Sequence, residues 1–181
     1  QPCNQVYNMK ICLSILIGIF LGYVVKMIVN WLAIDKFMMS KKNFFLEAVG
    51  AFMVTWSVVN LGKEEAVIFS LISLTLAGIS LIDFHTFEIP LIFIIIGVVA
   101  SIAGILLKVI LLSSAFWGIF VGALIPMAIM LMLWAITKRQ GMGYGDIQLG
   151  IVLGAWLGPM RMALTLFGAS LLSLLAWLGV S

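Results

Sequence analysis

The chain has 181 residues, 64% of them hydrophobic and 9% charged, with a formal net charge of +3 from 10 basic and 7 acidic residues. Soluble domains carry about 25% charged residues, and an interior of this size cannot hide so many apolar groups, so a soluble globule, a disordered chain and a coiled coil are excluded. The small basic excess forms no cluster of the kind nucleic acid needs, and lipid is the solvent this composition fits.

Apolar runs alternate with short polar breaks. Run one is Ile11–Ala33, after a polar N-terminal tail at 1–10. It is longer than a signal-peptide core and has no small-residue cleavage site behind it, so it reads as a true span. The sequence opens on Gln1, not Met, the pattern of a chain numbered after processing or from within a longer one. A break with Asp35, Lys36, Lys41 and Lys42 leads to run two, Phe44–Leu61. Gly62-Lys63-Glu64-Glu65 turns the chain into run three, Ala66–Ile82. The stretch Asp83-Phe84-His85-Thr86-Phe87-Glu88 precedes run four, Ile89–Leu107, and Lys108, Ser113 and Ser114 mark the next break. Run five is Ala115–Ile136, with Pro126 inside it as a candidate kink. Run six, Ile147–Leu157, is short and is parted from run seven, Met160–Val180, by Gly158-Pro159.

Runs this long and continuous do not suit barrel strands, and only helices or closed barrels cross lipid. The expected fold is an all-α polytopic bundle of six to eight helices, seven fitting best, in one membrane domain over 1–181. Seven spans of ~20 residues use about 140 residues and leave little for loops. Alternate breaks put Lys36, Lys41, Lys42, Lys138 and Arg139 on one side, opposite Lys10, Lys63, Lys108 and Arg161. Clustering of the first group near span ends makes that side cytoplasmic. Cys3 and Cys12 form no CxxC pair, which excludes a zinc knuckle; two free thiols are the plainer reading, with a disulfide as the alternative.

Few residues are left to carry chemistry. Glu64, Glu65 and Asp35 sit among lysines in breaks and read as solvated charges. Asp83 stands at the mouth of run three, and Asp146 closes Gly141-Met142-Gly143-Tyr144-Gly145 at the start of run six. Both fall on the cytoplasmic side by the count of breaks. Two carboxyls that converge share one proton; the ionised one activates water and the protonated one polarises a carbonyl. Gly141, Gly143 and Gly145 permit close backbone approach by an extended substrate, while a flexible link between helices is the bland alternative. A phosphate loop is excluded, since no lysine precedes a Ser or Thr there. Glu88 is the rival acid. His85, the sole histidine, reads as a polar interface residue, and a metal held by Asp83, His85, Glu88 and Asp146 is the weaker alternative. Lys26 and Glu47 lie inside apolar runs joined by a short break, which suggests an ion pair, because unpaired charges there are costly.

These motifs resemble a known family. Gly143-Tyr144-Gly145-Asp146 is similar to the GxGD signature of intramembrane aspartyl proteases. With Gly154-Ala155-Trp156-Leu157-Gly158, and with Ile82-Asp83 followed by Ile89-Pro90, the chain resembles the bacterial type IV prepilin peptidases. Phe44-Phe45-Leu46-Glu47 weakly resembles their second-span segment. The resemblance implies Asp83 and Asp146 as catalytic dyad, no cofactor and no metal. It also implies prepilins or pseudopilins of a type IV pilus or type II secretion system as substrates, cut at the cytoplasmic face of the inner membrane. Methylating members carry a large insertion between the first two spans, often with CxxC pairs; its absence here favours the peptidase over the methyltransferase. Gln148 and Leu91 stand where the family commonly has Lys and Asp or Asn. The competing readings are a catalytically idle pilus-assembly protein and a small transporter; the latter lacks a charged path through runs three to seven.

Overall fold

The computed structural model describes residues 2–32, 44–138 and 143–180. Asp35, Lys36, Lys41, Lys42, Arg139 and Gly141 lie outside the described residues. The described chain is all-α, with α1 (Pro2–Leu32), α2 (Phe45–Asn60), α3 (Lys63–Thr86), α4 (Leu91–Leu106), α5 (Leu112–Thr137) and α6 (Tyr144–Val180). Four of them, α1, α3, α5 and α6, are long and apolar enough to cross a membrane, and the protein is a multi-pass, lipid-embedded helix bundle. α2 and α4 have 16 residues each, about 24 Å at 1.5 Å per residue, less than the ~30 Å hydrocarbon layer. The polar segment 2–10 is helical and continuous with run one. Runs six and seven form one element bent at Gly158, whose φ of 74° and ψ of 174° are not helical. Pro159, which has no N–H to give, follows directly.

The contacts divide the chain into two compact units, 1–109 and 110–181. In the first, α1 and α2 pack backbone against backbone. Ser14, Gly18, Gly22 and Lys26 recur every four residues and form the buried stripe of α1. A Cβ on Gly18 would overlap the Gly50 carbonyl, and one on Gly22 the Leu46 carbonyl. The Ser14 and Thr55 hydroxyls meet across this seam at 3.4 Å. α2 joins α3 through the buried hydroxyls of Ser57 and Ser70, 2.8 Å apart. Each hydroxyl also has a carbonyl of its own helix in reach, Ser57 the Val54 O and Ser70 the Ala66 O, and with one proton apiece the hydroxyl that donates across the Ser57–Ser70 contact gives up its bond to its own helix. α3, α4 and α1 meet at Gly78, where a Cβ would stand 2.9 Å from Phe93 and 3.0 Å from Val25. Leu46, Ile68, Ile72 and Phe93 fill the core around these contacts.

In this unit α3 and α4 end on left-handed residues that are not glycine, Phe87 and Lys108, whereas α2 ends on an extended Leu61. α4 closes with Lys108 at φ 58°. Val109 N–H donates to Gly104 O at 2.9 Å and Lys108 N–H to Ile105 O at 3.0 Å, the paired bonds of a Schellman motif.

The second unit is a helical hairpin closed by glycine. On α5, Gly118 and Gly122 face Gly154 and Gly150 of α6, and a Cβ on any of the four would overlap the opposing carbonyl. Gly158 lies against the Ser114 hydroxyl in the same register. α5 continues through Pro126. Proline removes the donor that the Gly122 carbonyl would otherwise use, and that carbonyl faces Gly150 instead. α5 ends on Lys138 at φ 54°, its ammonium 5.2 Å from the centre of the Trp134 ring, a pairing suited to a membrane interface. Gly154→Leu is expected to lower stability by on the order of 3 kcal/mol, read by unfolding in detergent micelles. Gly168→Leu, with nothing within 4 Å of the added Cβ, stays within about 0.5 kcal/mol of wild type.

Candidate functional site

Asp83 lies in the last turn of α3 with its side chain exposed. The helix continues past the apolar run because its backbone bonds do not depend on side-chain polarity. It stops at Phe87, which takes φ 54° and ψ 31°, and the Phe87 N–H donates to Asp83 O at 2.9 Å. A left-handed phenylalanine is strained. Pro90, three residues on, cannot extend the helix and is the N-cap of α4. The turn from Asp83 to Pro90 is thus anchored at both ends. His85 packs edge-on against Phe84, their ring centres 5.3 Å apart, and Glu88 is exposed beyond the left-handed residue. Among the described residues no three His, Cys, Asp or Glu side chains gather as metal ligands.

Asp146 sits in the first turn of α6. The Gly143 N–H donates to its Oδ2 at 3.3 Å, and its own N–H donates to Gly143 O at 3.2 Å. This reciprocal pair is a capping arrangement in which the third helical residue reaches back to satisfy the cap N–H. The sequence pattern did not single out this bond, because the usual capping-box signature opens on Ser or Thr and not on glycine. The carboxylate is half-buried and fixed through one oxygen. A Cβ on Gly143 would stand 3.7 Å from Asp146 Oδ2, an ordinary contact, so the fold itself does not require glycine there. Asp83 belongs to the first unit and Asp146 to the second.

Lys26 Nζ lies 2.9 Å from Glu47 Oε1, with the two side chains 6% and 8% exposed. The ammonium also stands 5.5 Å from the Phe44 ring centre. Glu47 Oε2 is buried with no hydrogen-bond partner among the described residues. Gly22 makes the pair reachable, since its missing side chain lets α1 approach the α2 backbone at Leu46 and Glu47. Cys12 is an exposed free thiol on α1.

A polytopic helix bundle with an acid at one helix end and an acid at another helix start defines a class of membrane protein, and comparison with known proteins narrows it. A family model described as the type IV leader peptidase family matches residues 67–178. That is more than half of the chain, and the chain belongs to this family. Over 85 residues it is 32% identical to the prepilin leader peptidase/N-methyltransferase of Dichelobacter nodosus, covering 47% of this chain and 29% of that protein. Over 59 residues it is 39% identical to the protein of the same name from Stutzerimonas stutzeri, covering 33% of this chain and 20% of that protein. The chain thus spans less than a third of the length of these curated relatives. No solved structure matches it.

Removing one partner of a buried ion pair leaves the other charge uncompensated. Lys26→Met is expected to cost about 3–5 kcal/mol, with Lys26→Met/Glu47→Leu recovering most of the loss, both read by unfolding in detergent.

Proposed function

We propose that the chain is a membrane-embedded aspartic endopeptidase that removes the leader peptide of type IV prepilins or pseudopilins at the cytoplasmic face of the bacterial inner membrane. The observation that carries this reading is that the family match over 67–178 encloses both acid motifs, Ile82-Asp83 with Ile89-Pro90 and Gly143-Tyr144-Gly145-Asp146. The names of the curated relatives support the substrate class.

In this mechanism Asp83 and Asp146 share one proton. The ionised carboxyl takes a proton from water as the oxygen attacks the scissile carbonyl, and the protonated carboxyl hydrogen-bonds the carbonyl oxygen. Collapse of the tetrahedral intermediate breaks the C–N bond, and the departing amine takes the proton. The cap bond from Gly143 occupies Asp146 Oδ2 and leaves Oδ1 to face the water. A substrate whose hydrophobic helix lies in the bilayer presents its leader at the interface, where helix ends such as those carrying the two acids meet water. Glycine at 141, 143 and 145 lets an extended substrate backbone approach, and Pro90 holds the turn beyond Asp83. The short break between runs one and two holds no methylating insertion, which favours the peptidase over the methyltransferase, and the mass of the product reads any added methyl group.

Incubation of the purified protein with a prepilin-like peptide in detergent, followed by mass analysis, tests the dyad. Asp83→Asn and Asp146→Asn each lower cleavage roughly 10³-fold with the fold retained, while Glu88→Gln cleaves like wild type. Cleavage by either Asn variant at the wild-type rate refutes the assignment, and an inactive wild type favours the idle assembly protein. Gly143→Ala is expected to cost about 1 kcal/mol of stability, because alanine is a poorer N-cap than glycine, and to raise KM for the peptide, since its larger effect falls on substrate approach.

A further inference from the structure

Lys10 and Lys63 take no part in the reading above. Both are exposed, and among the described residues neither forms an ion pair. They line one groove of about 380 Å³ in the first unit, within the range of about 300–1,000 Å³ usual for ligand sites. From Lys10, α1 contributes Leu13, Ile17 and Leu21 on one face; from Lys63, α3 contributes Val67 and Leu71. α2 runs the other way and closes the floor with Val58. The chain direction therefore puts both ammonium groups at the same end and an apolar trough beyond them. From Lys10 to Leu21 the helix rises about 16 Å, the depth of one leaflet of a ~30 Å hydrocarbon layer. Glu64 and Glu65 do not line this groove; they line a neighbouring cleft that Lys63 shares with Lys108.

We propose that this groove holds one acyl chain of an anionic phospholipid, with its phosphate bound between Lys10 and Lys63. A cationic mouth selects the phosphate, and the trough selects the chain. Position within lipid supplies this ligand at high concentration, and the one-leaflet depth suits an acyl chain better than a spanning protein helix.

Native mass spectrometry of the full chain, released from micelles holding equal phosphatidylglycerol and phosphatidylcholine, tests the site. Wild type is expected to retain one phosphatidylglycerol with a preference on the order of ten- to thirtyfold, from two lysines near a membrane surface. K10Q/K63Q removes the preference, and R161Q keeps it. V67W fills the trough from an exposed position and releases both lipids. Soluble glycerol phosphate, a headgroup without a chain, gives no thermal shift, while phosphatidylglycerol does. Equal retention of the two lipids by wild type, or no lipid retained at all, as when a protein helix is the occupant, overturns the proposal. So does a preference that survives K10Q/K63Q, a lipid that survives V67W, or stabilisation by glycerol phosphate equal to that by the lipid.

Discussion

Helices inside a bilayer gain little by pressing leucine against leucine, because acyl chains are as apolar as the side chains they would replace. What holds such helices together is close van der Waals approach and hydrogen bonding. This chain meets that constraint with missing side chains. Gly18, Gly22 and Gly50 bring α1 onto α2, and Gly118, Gly122, Gly150 and Gly154 bring α5 onto α6. Polar groups then fasten the seams: Ser14 to Thr55, Ser57 to Ser70, and Lys26 to Glu47. The large apolar residues mostly face outward, as Phe20, Trp31 and Trp177 do. Small and polar residues thus line the helix seams, while Leu46, Ile68, Ile72 and Phe93 still fill the core beside them.

The acids sit where such a frame can tolerate them. Neither Asp83 nor Asp146 lies in the middle of a span; one closes a helix and the other opens one. A helix start leaves backbone N–H groups without helical partners, so a carboxylate there can be held by main chain. Asp146 is held in this way by Gly143. The Asp83 side chain is left exposed, while its carbonyl fastens the turn that leads to Pro90.

Much of the fold was legible in the sequence because lipid imposes a simple rule of length and polarity. The breaks at Gly62 and Pro90 stand where α3 begins and α4 begins, and Gly158-Pro159 marks the bend in α6. Helix ends were less legible, since polarity marks where the membrane stops and not where the helix stops. α3 runs through Asp83 to Thr86, and α1 starts at Pro2 inside the polar segment. The spacing of Ser14, Gly18, Gly22 and Lys26 was visible in the chain, but a stripe of small residues does not say which helix it meets. The cap on Asp146 was also hidden, because it depends on where the helix begins to within one residue.

The Lys26–Glu47 contact has a consequence for how the protein reaches its membrane. Lys26 lies in the last third of α1 and Glu47 in the first turn of α2, so an unpaired charge at either place costs less than the roughly 2.5–3.5 kcal/mol of a span centre but is still unfavourable in lipid. If α1 entered lipid alone it would carry a bare ammonium, and α2 a bare carboxylate. Joined across the Gly22 seam, the two cross as a neutral hairpin. The Gly22 seam and the ion pair thus depend on each other: without the close approach the two charges do not meet, and without the pair the approach buries them bare.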